Sequence, residues 1–244
     1  MFILSSLNTF ASGAGIHWSA AKALNSTAAD DFQIDDSAPA IGNDGAGTWL
    51  TVWQAHRSTV GNETDWDILF ARSTDKAASW SAVASLNTDA GTDSTNDTAP
   101  FAAAGSSSVW LAFWVRSDIT NSFIAGARSV DGGQSWNAPY ALSTPVPTTF
   151  GYSVSIMDQP HAASDGRGTW VAVWSQQGGI FWTRSTNNGV SWGAPTTLIT
   201  TPRTLPDNVQ PRVSTDGAGN WLVVWSHFGA LNGIYDDRII LRIP

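Results

Sequence analysis

The chain has 244 residues, with 12 basic and 20 acidic side chains for a formal charge of −8, and it contains no cysteine. This length allows one or two domains with a substantial core. The missing cysteines exclude disulfides, thiolate metal sites and cysteine nucleophiles, while the acidic balance argues against nucleic acid or an anionic membrane surface as partner.

Charged residues make up only 13%, whereas there are 22 glycines and 14 tryptophans. That is the composition of many short strands joined by turns, with little helix. The opening MFILSSLNTF has an apolar run but no basic region before it and no cleavage pattern after it, so no signal peptide is recognised. No apolar run approaches the length of a membrane span.

Residues 16–25 read as a strand and carry Trp18, Ala20 and Leu24. The same spacing returns as Trp80-Ala82-Leu86, Trp136-Ala138-Leu142 and Trp192-Ala194-Leu198. Each later copy follows a turn: RSTDKAASW ends at Trp80, RSVDGGQSW at Trp136 and RSTNNGVSW at Trp192. These tryptophans are 56 residues apart in both intervals (136 − 80 and 192 − 136), a period that signals a repeat architecture.

A second pattern begins at Pro39, Pro100, Pro160 and Pro211 and runs through a Gly-rich turn into paired tryptophans, Trp49/Trp53, Trp110/Trp114, Trp170/Trp174 and Trp221/Trp225. Strand alternation puts both tryptophans of a pair on one face and Leu50 and Val52 or their counterparts on the other. Apolar residues on both faces predict sheets covered on both sides. A third strand ending in Arg72, Arg128, Arg184 or Arg242 completes each unit before the turn.

The expected fold is therefore an all-β propeller of four-stranded antiparallel blades forming one domain. Its units fall at about 38–88, 99–143, 159–199 and 210–244, plus the N-terminal strand 16–25. The last unit stops after its third strand and the N-terminus supplies an unpaired fourth. Pairing the two would close a ring of four blades and leave no edge. The run FILSSL reads either as a cap or as the remnant of a fifth blade.

The boxed turn resembles the Asp-box, or bacterial neuraminidase repeat, of sialidases and other propellers. Ser129, Asp131, Gly133, Ser135 and Trp136 match it in full. Ser73, Asp75, Ser79 and Trp80 match with Ala77 in place of glycine; Ser185, Gly189, Ser191 and Trp192 match with Asn187 in place of aspartate. The resemblance implies turns between third and fourth strands, remote from any substrate. The chemistry agrees, since Asp or Asn in a turn accepts backbone N–H bonds and glycine supplies positive φ.

Meander connectivity places the boxed and Gly-rich turns at one end, and the longer, more varied loops at the other, where function is expected. There Asp36, Asp97, Asp158 and Asn208 precede the prolines, and Ala40, Phe101, His161 and Arg212 follow them. The first set either rings the channel mouth, binding sugar hydroxyls or calcium, or caps its own turns. Further candidates at this end are His56, Arg57, Arg116, Asp118, Gln176, Gln177 and His227, with Trp66, Phe150, Tyr152 and Tyr235 as stacking surfaces. No cofactor is required by this reading; calcium is the one considered.

Sialidases of the resembled family use an arginine triad, a Tyr–Glu pair and an Asp acid/base. The LRIP at Leu241–Pro244 falls on a third strand, away from the family's first arginine, and Glu63 is the sole glutamate, with Tyr152 and Tyr235 at the same end. The leading expectation is a non-enzymatic propeller, extracellular or on a bacterial cell surface, that binds carbohydrate or another extracellular ligand such as a protein. The alternatives are a sialidase-type glycoside hydrolase and a purely structural or oligomerising repeat.

Overall fold

A computed structural model describes residues 20–24, 35–56, 65–148, 159–199, 208–227, 230–231, 234–235 and 239–243. Among them there is strand and turn but no helix, hence none long and apolar enough to cross a membrane. The first sheet contains β1 (Asp35–Asn43), β2 (Trp49–His56), β3 (Trp66–Ser73) and β4 (Ala84–Ser85). The second contains β5 (Asn96–Ala104), β6 (Trp110–Ser117), β7 (Asn121–Ser129) and β8 (Tyr140–Ala141), with β9 (Val146–Pro147) also paired to β7. The third contains β10 (His161–Ser164), β11 (Trp170–Gln176), β12 (Gly179–Ser185) and β13 (Thr196–Ile199). In the fourth part, β14 (Asn208–Thr215) and β15 (Trp221–His227) precede the hairpin β16 (Ala230–Leu231) and β17 (Ile234–Tyr235), and β18 (Ile239–Ile243) pairs with β15.

The sheets are antiparallel meanders, as the repeat predicted, and they pack face to face in chain order. Leu50, Val52, Ile68 and Phe70 of the first sheet meet Trp110, Trp114 and Trp136 of the second. Leu111, Phe113 and Ile124 meet Trp170 and Trp174; Val171, Val173 and Ile180 meet Trp221 and Trp225. One face of each sheet thus supplies aliphatics and the next supplies indoles, which is what the four-residue tryptophan spacing encodes. Trp110, Trp114, Trp170 and Trp174 are wholly buried, and indoles dominate such a core because each removes so much apolar area from water. The innermost strands follow one another, β1 against β5, β5 against β10 and β10 against β14.

Two details differ from the sequence pattern. The fourth strand does not begin at the boxed tryptophan; pairing starts four residues later, at Ala84, Tyr140 and Thr196. In between, the Ser81 and Asn137 N–H groups still donate to Arg72 O and Arg128 O, but the return bonds go to side chains: the Arg72 N–H donates to Ser81 Oγ (3.1 Å) and the Arg128 N–H to Asn137 Oδ1 (2.5 Å). The tryptophans turn inward instead, Trp136 edge-on to Phe70 and Trp192 edge-on to Phe113 of the preceding sheet.

Three of the first strands, β1, β5 and β14, start before their prolines and run through a bulge, whereas β10 starts after Pro160. Register slips between Ser37 and Ala40, Thr98 and Phe101, and Val209 and Arg212. Ala38, Ala99 and Gln210, each just ahead of a proline, carry the bulge with positive φ of 50°, 53° and 54°. A bulge re-aims neighbouring groups: the Ala99 N–H, freed from its own ladder, donates to Gln54 Oε1 of the first sheet at 2.7 Å.

The boxed and Gly-rich turns share one end, where each boxed turn bonds the Gly-rich turn of its own sheet. The Lys76 N–H donates to Gly47 O, the Gly132 N–H to Ser108 O and the Asn188 N–H to Gly168 O. Within the full box, Asp131 Oδ1 accepts from Ser129 Oγ and from the Gln134 and Ser135 N–H groups, while Oδ2 accepts from Ser135 Oγ. Burial raises the Asp131 carboxyl, but these donors outweigh it and hold the group at about 2. Asp75 is brought to about 2 chiefly by the Ser79 hydroxyl. Asn187 keeps the Ser191 N–H contact, and its amide donates to Ser191 Oγ. A link not foreseen from sequence joins neighbours: Arg72 Nε donates to Gly132 O (2.6 Å) and Arg128 Nε to Asn188 O (2.7 Å), each in the following sheet's box.

Candidate functional site

The opposite end holds a concentration of charge. Asp97 and Arg116 are register partners across β5 and β6, just beyond the bulge at Ala99. Arg116 Nε donates to Asp97 Oδ1 at 2.7 Å and Nη2 to Asp97 Oδ2 at 2.6 Å. Its far side reaches the loop that enters β5: Nη1 donates to Asp89 Oδ2 (2.7 Å) and Nη2 to Asp89 Oδ1 (2.9 Å), with Asp93 Oδ2 at 3.3 Å. The guanidinium lies 6.0 Å from the centre of the Trp114 ring.

Three carboxylates around one guanidinium leave an excess of negative charge. The Asp97 side chain has no exposed surface, whereas those of Asp89 and Asp93 keep 31% and 20%. Burial drives the Asp97 carboxyl up to about 7 against the pull of Arg116. Burial, then the neighbouring Asp89 charge, also raises Asp93. Burial acts upward on Asp89 too, but the Arg116 hydrogen bonds and charge carry it below the ordinary value. The two accessible members offer carboxylate oxygens able to accept hydroxyl hydrogen bonds.

Asp89, Asp93 and Asp97 have oxygens within 4.8 Å of one another and are also the one possible metal-binding group among the described residues. Their chemistry suits a hard cation, but the Arg116 guanidinium already supplies positive charge at their centre. Asp36 is not in this group; its Oδ1 accepts from Trp53 Nε1 at 3.1 Å. The expected ring of pre-proline oxygens is thus divided between an indole partner in the first sheet and an arginine partner in the second. Asp158 and the Asn208 side chain lie outside the described residues.

The residues after the prolines join adjacent innermost strands. His161 lies against Phe101, with ring centres 4.3 Å apart, and its Nδ1 accepts the Val213 N–H at 3.2 Å. Burial, aided by the Arg212 charge, depresses this imidazole to about 4. Arg212 donates through Nη1 to Pro211 O and through Nη2 to Gln159 Oε1, and Gln159 Nε2 donates to Pro100 O. His161 and Arg212 thus serve as links between sheets.

Gln176 is also committed, accepting from Trp174 Nε1 at 3.0 Å. His56 is tilted against Trp66 at 5.3 Å, and the Trp66 N–H donates to Asn96 Oδ1, beside Asp97. Asp118 accepts from the Thr120 and Asn121 N–H groups in its own turn. Arg57, Glu63, Phe150 and Tyr152, and the side chains of His227 and Tyr235, fall outside the described residues.

Sequence reasoning missed Asp89 and Asp93. Their signal was present: three aspartates four residues apart in one connection, NTDAGTDSTNDTAP, ahead of an arginine at the same end. Only the aspartate nearest the proline was singled out. Gln159 and Gln54 had no such signal, because an uncharged amide announces nothing until its neighbours are known.

No protein-family model and no curated protein matches the chain. Solved structures do. An alpha-L-arabinanase of Penicillium chrysogenum, complexed with arabinobiose, superposes with a TM-score of 0.60 at 15% identity, covering 85% of this chain and 62% of its own. An alpha-L-arabinofuranosidase of Fusarium graminearum gives 0.57 at 14%, covering 85% and 61%. A Hadza microbial sialidase gives 0.54 at 14%, covering 85% and 44%. The fold is that of a β-propeller. This chain spans less than two thirds of the length of each of these structures.

Proposed function

We propose that the protein is a four-bladed propeller that binds a neutral carbohydrate at its loop-bearing end. Asp89 and Asp93 would accept hydroxyl hydrogen bonds, and Trp66 would offer an aromatic face nearby. One observation carries the reading. Both described arginines at this end are taken, Arg116 by Asp89 and Asp97 and Arg212 by Gln159 and Pro211 O, so neither is offered to an anionic sugar. The surplus carboxylate charge disfavours sialosides and uronates and favours ligands rich in neutral hydroxyls. The arabinanase complexed with arabinobiose has the same kind of fold and supports a furanoside as the first sugar to try. Such a ligand fits an extracellular protein.

A second reading is glycoside hydrolysis, favoured by the grouping of three aspartates whose oxygens lie within 4.8 Å of one another. Calcium at the three aspartates is a further proposal; it requires displacing Arg116.

The test is a titration with arabino-oligosaccharides, neutral hexose oligosaccharides, sialosides and oligouronates, with calcium and with EDTA, beside release of a chromophore from aryl arabinofuranosides. Neutral-sugar binding without turnover, weakened by Asp89→Asn and Asp93→Asn, is expected. Preferential binding of the anionic sugars overturns the proposal, turnover transfers it to the second reading, and loss in EDTA assigns calcium to the aspartates.

A further inference from the structure

In the first three sheets the fourth strand docks on the third in one register. Ala84 faces Phe70, Tyr140 faces Gly126 and Thr196 faces Trp182. In each case the residue four after the boxed tryptophan (Trp80, Trp136 or Trp192) meets the residue two before the arginine (Arg72, Arg128 or Arg184). The next pair repeats it, with Ser85 on Leu69, Ala141 on Ala125 and Thr197 on Phe181. The fourth sheet stops at β18, which pairs with β15 and has no second neighbour among the described residues. Its arginine is Arg242, and the remaining Trp-Ala-Leu pattern is Trp18-Ala20-Leu24.

Leu24 provides an independent observation. Leu86 lies in the cluster between the first and second sheets, Leu142 between the second and third, and Leu198 against the cluster between the third and fourth. The leucine of each pattern therefore packs toward the sheet that follows its own. Leu24 packs on Trp53, Ala55, Leu69 and Ala71, the face of the first sheet turned away from the second. The sheet that owns Leu24 must stand immediately before the first.

Two faces match that description. Leu222 on the fourth sheet is 44% exposed, where its counterparts Leu50, Leu111 and Val171 are 0%, 0% and 1%. Ile41 on the first sheet is 61% exposed, where Ala102, Ala162 and Val213 are 2%, 3% and 3%. Beside Leu222 lies a cavity of about 340 Å³ bordered by Ser214, Asp216 and Asn220. At the earlier junctions the next sheet's leading tryptophan packs against this strand pair, Trp110 against Gly42 and Trp170 against Gly105. Trp49 holds that position on the first sheet.

Residues 20–24, the described part of the expected strand 16–25, carry no strand pairing in the structure; we propose that they dock as the fourth strand of the fourth sheet, with Lys22 opposite Ile240 and Ala23 opposite Ile239. This strand closes the ring and brings Trp49 to the Leu222 cavity. Backbone groups on the free side of β18 gain partners, and the exposed side chains Ile41 and Leu222 gain cover. The proposal deepens the four-bladed ring and is independent of the ligand.

The chain has no cysteine, so introduced pairs report on themselves. Directly opposed strand residues have the separation a disulfide needs. Ala23→Cys/Ile239→Cys should oxidise within the monomer, as should the reference pair Thr197→Cys/Phe181→Cys, while the out-of-register Ala20→Cys/Ile239→Cys should stay reduced. Closure of the reference pair alone overturns the proposal. Disulfide-linked dimers also overturn it, giving the strand to a second copy. Hydrogen exchange on the unmodified protein is the companion measurement. Amides of residues 20–24 should be protected as long as those of residues 84–86, and exchange at the rate of an unfolded chain overturns the strand. A failure of sugar binding alters neither result.

Discussion

Arg116 and Asp97 face each other across β5 and β6 and share two hydrogen bonds, at 2.7 and 2.6 Å, in a site where the aspartate side chain has no exposed surface. Removing one member strands the other in a poor solvent for charge, and a broken buried pair costs about 3–5 kcal/mol. Arg116→Met should therefore lower stability by that order in urea unfolding at pH 7. The double variant Arg116→Met/Asp97→Leu should recover much of the loss, because no buried charge remains. A double variant as unstable as the single one would show that the pair is not the source of the cost.

His161 gives a pH dependence of definite sign. Its imidazole is depressed to about 4, against an ordinary 6.5, so the unfolded chain takes up the proton first. Its contribution is present in full above about pH 6.5 and is lost as pH falls through 4, on the order of 2 kcal/mol for a partly buried ring. Asp97, raised to about 7, acts oppositely: its contribution is present below pH 3.8 and is lost as pH rises through 7. The difference between wild type and His161→Gln isolates the histidine. That difference should shrink between pH 7 and pH 4.5; a constant offset would refute the assignment.

The boxed turns allow a paired test of backbone conformation. Ala77 stands at φ 66° in the second position of a left-handed pair with Lys76, where the full box has Gly133 at 82°. Ala77→Gly should stabilise by about 1 kcal/mol, since a β-carbon in that region costs about 1–2. Gly133→Ala should cost a similar amount, its new methyl arriving 3.4 Å from Leu50 Cδ1. Thermal unfolding of both variants would decide it, and equal melting temperatures would count against the strain argument.

At the aspartate of the full box, Asn187 predicts what an amide does. Asp131→Asn should keep the Ser135 N–H bond and, after solvent screening, cost under about 1 kcal/mol at pH 7. Because Asp131 is held at about 2, below the ordinary 3.8, its contribution is present above about pH 4 and is lost as pH falls toward 2. The variant's acid limb should be correspondingly shallower in titrations of unfolding midpoint against pH.

What could be read from sequence was whatever the backbone imposes on residue type. Glycines and aspartates in the boxed turns, and tryptophans four apart, have no freedom to be other residues without loss, so the sheets and their shared turn end were legible. The bulges at Ala38, Ala99 and Gln210 were not, because alanine and glutamine do not advertise a positive φ. The late start of β4 and β8 was hidden for a similar reason: Ser81 and Asn137 take over one ladder bond each with a side-chain oxygen, and neither residue looks unusual in a strand. At the candidate site, charge was visible but pairing was not. Arg116 and Asp97 were both singled out, yet nothing along the chain indicates that one guanidinium bonds two carboxylates, or that His161 and Arg212 turn toward neighbouring sheets.

The cross-sheet bonds from Arg72 to Gly132 O and from Arg128 to Asn188 O each span 60 positions along the chain, four more than the 56-residue repeat, and join consecutive sheets. These bonds tie adjoining sheets together at the end away from the aspartate cluster. The longer connections around the aspartate cluster sit outside these latches. Sequence drift or insertion there leaves the latches with their partners, so that end can vary without loss of the architecture.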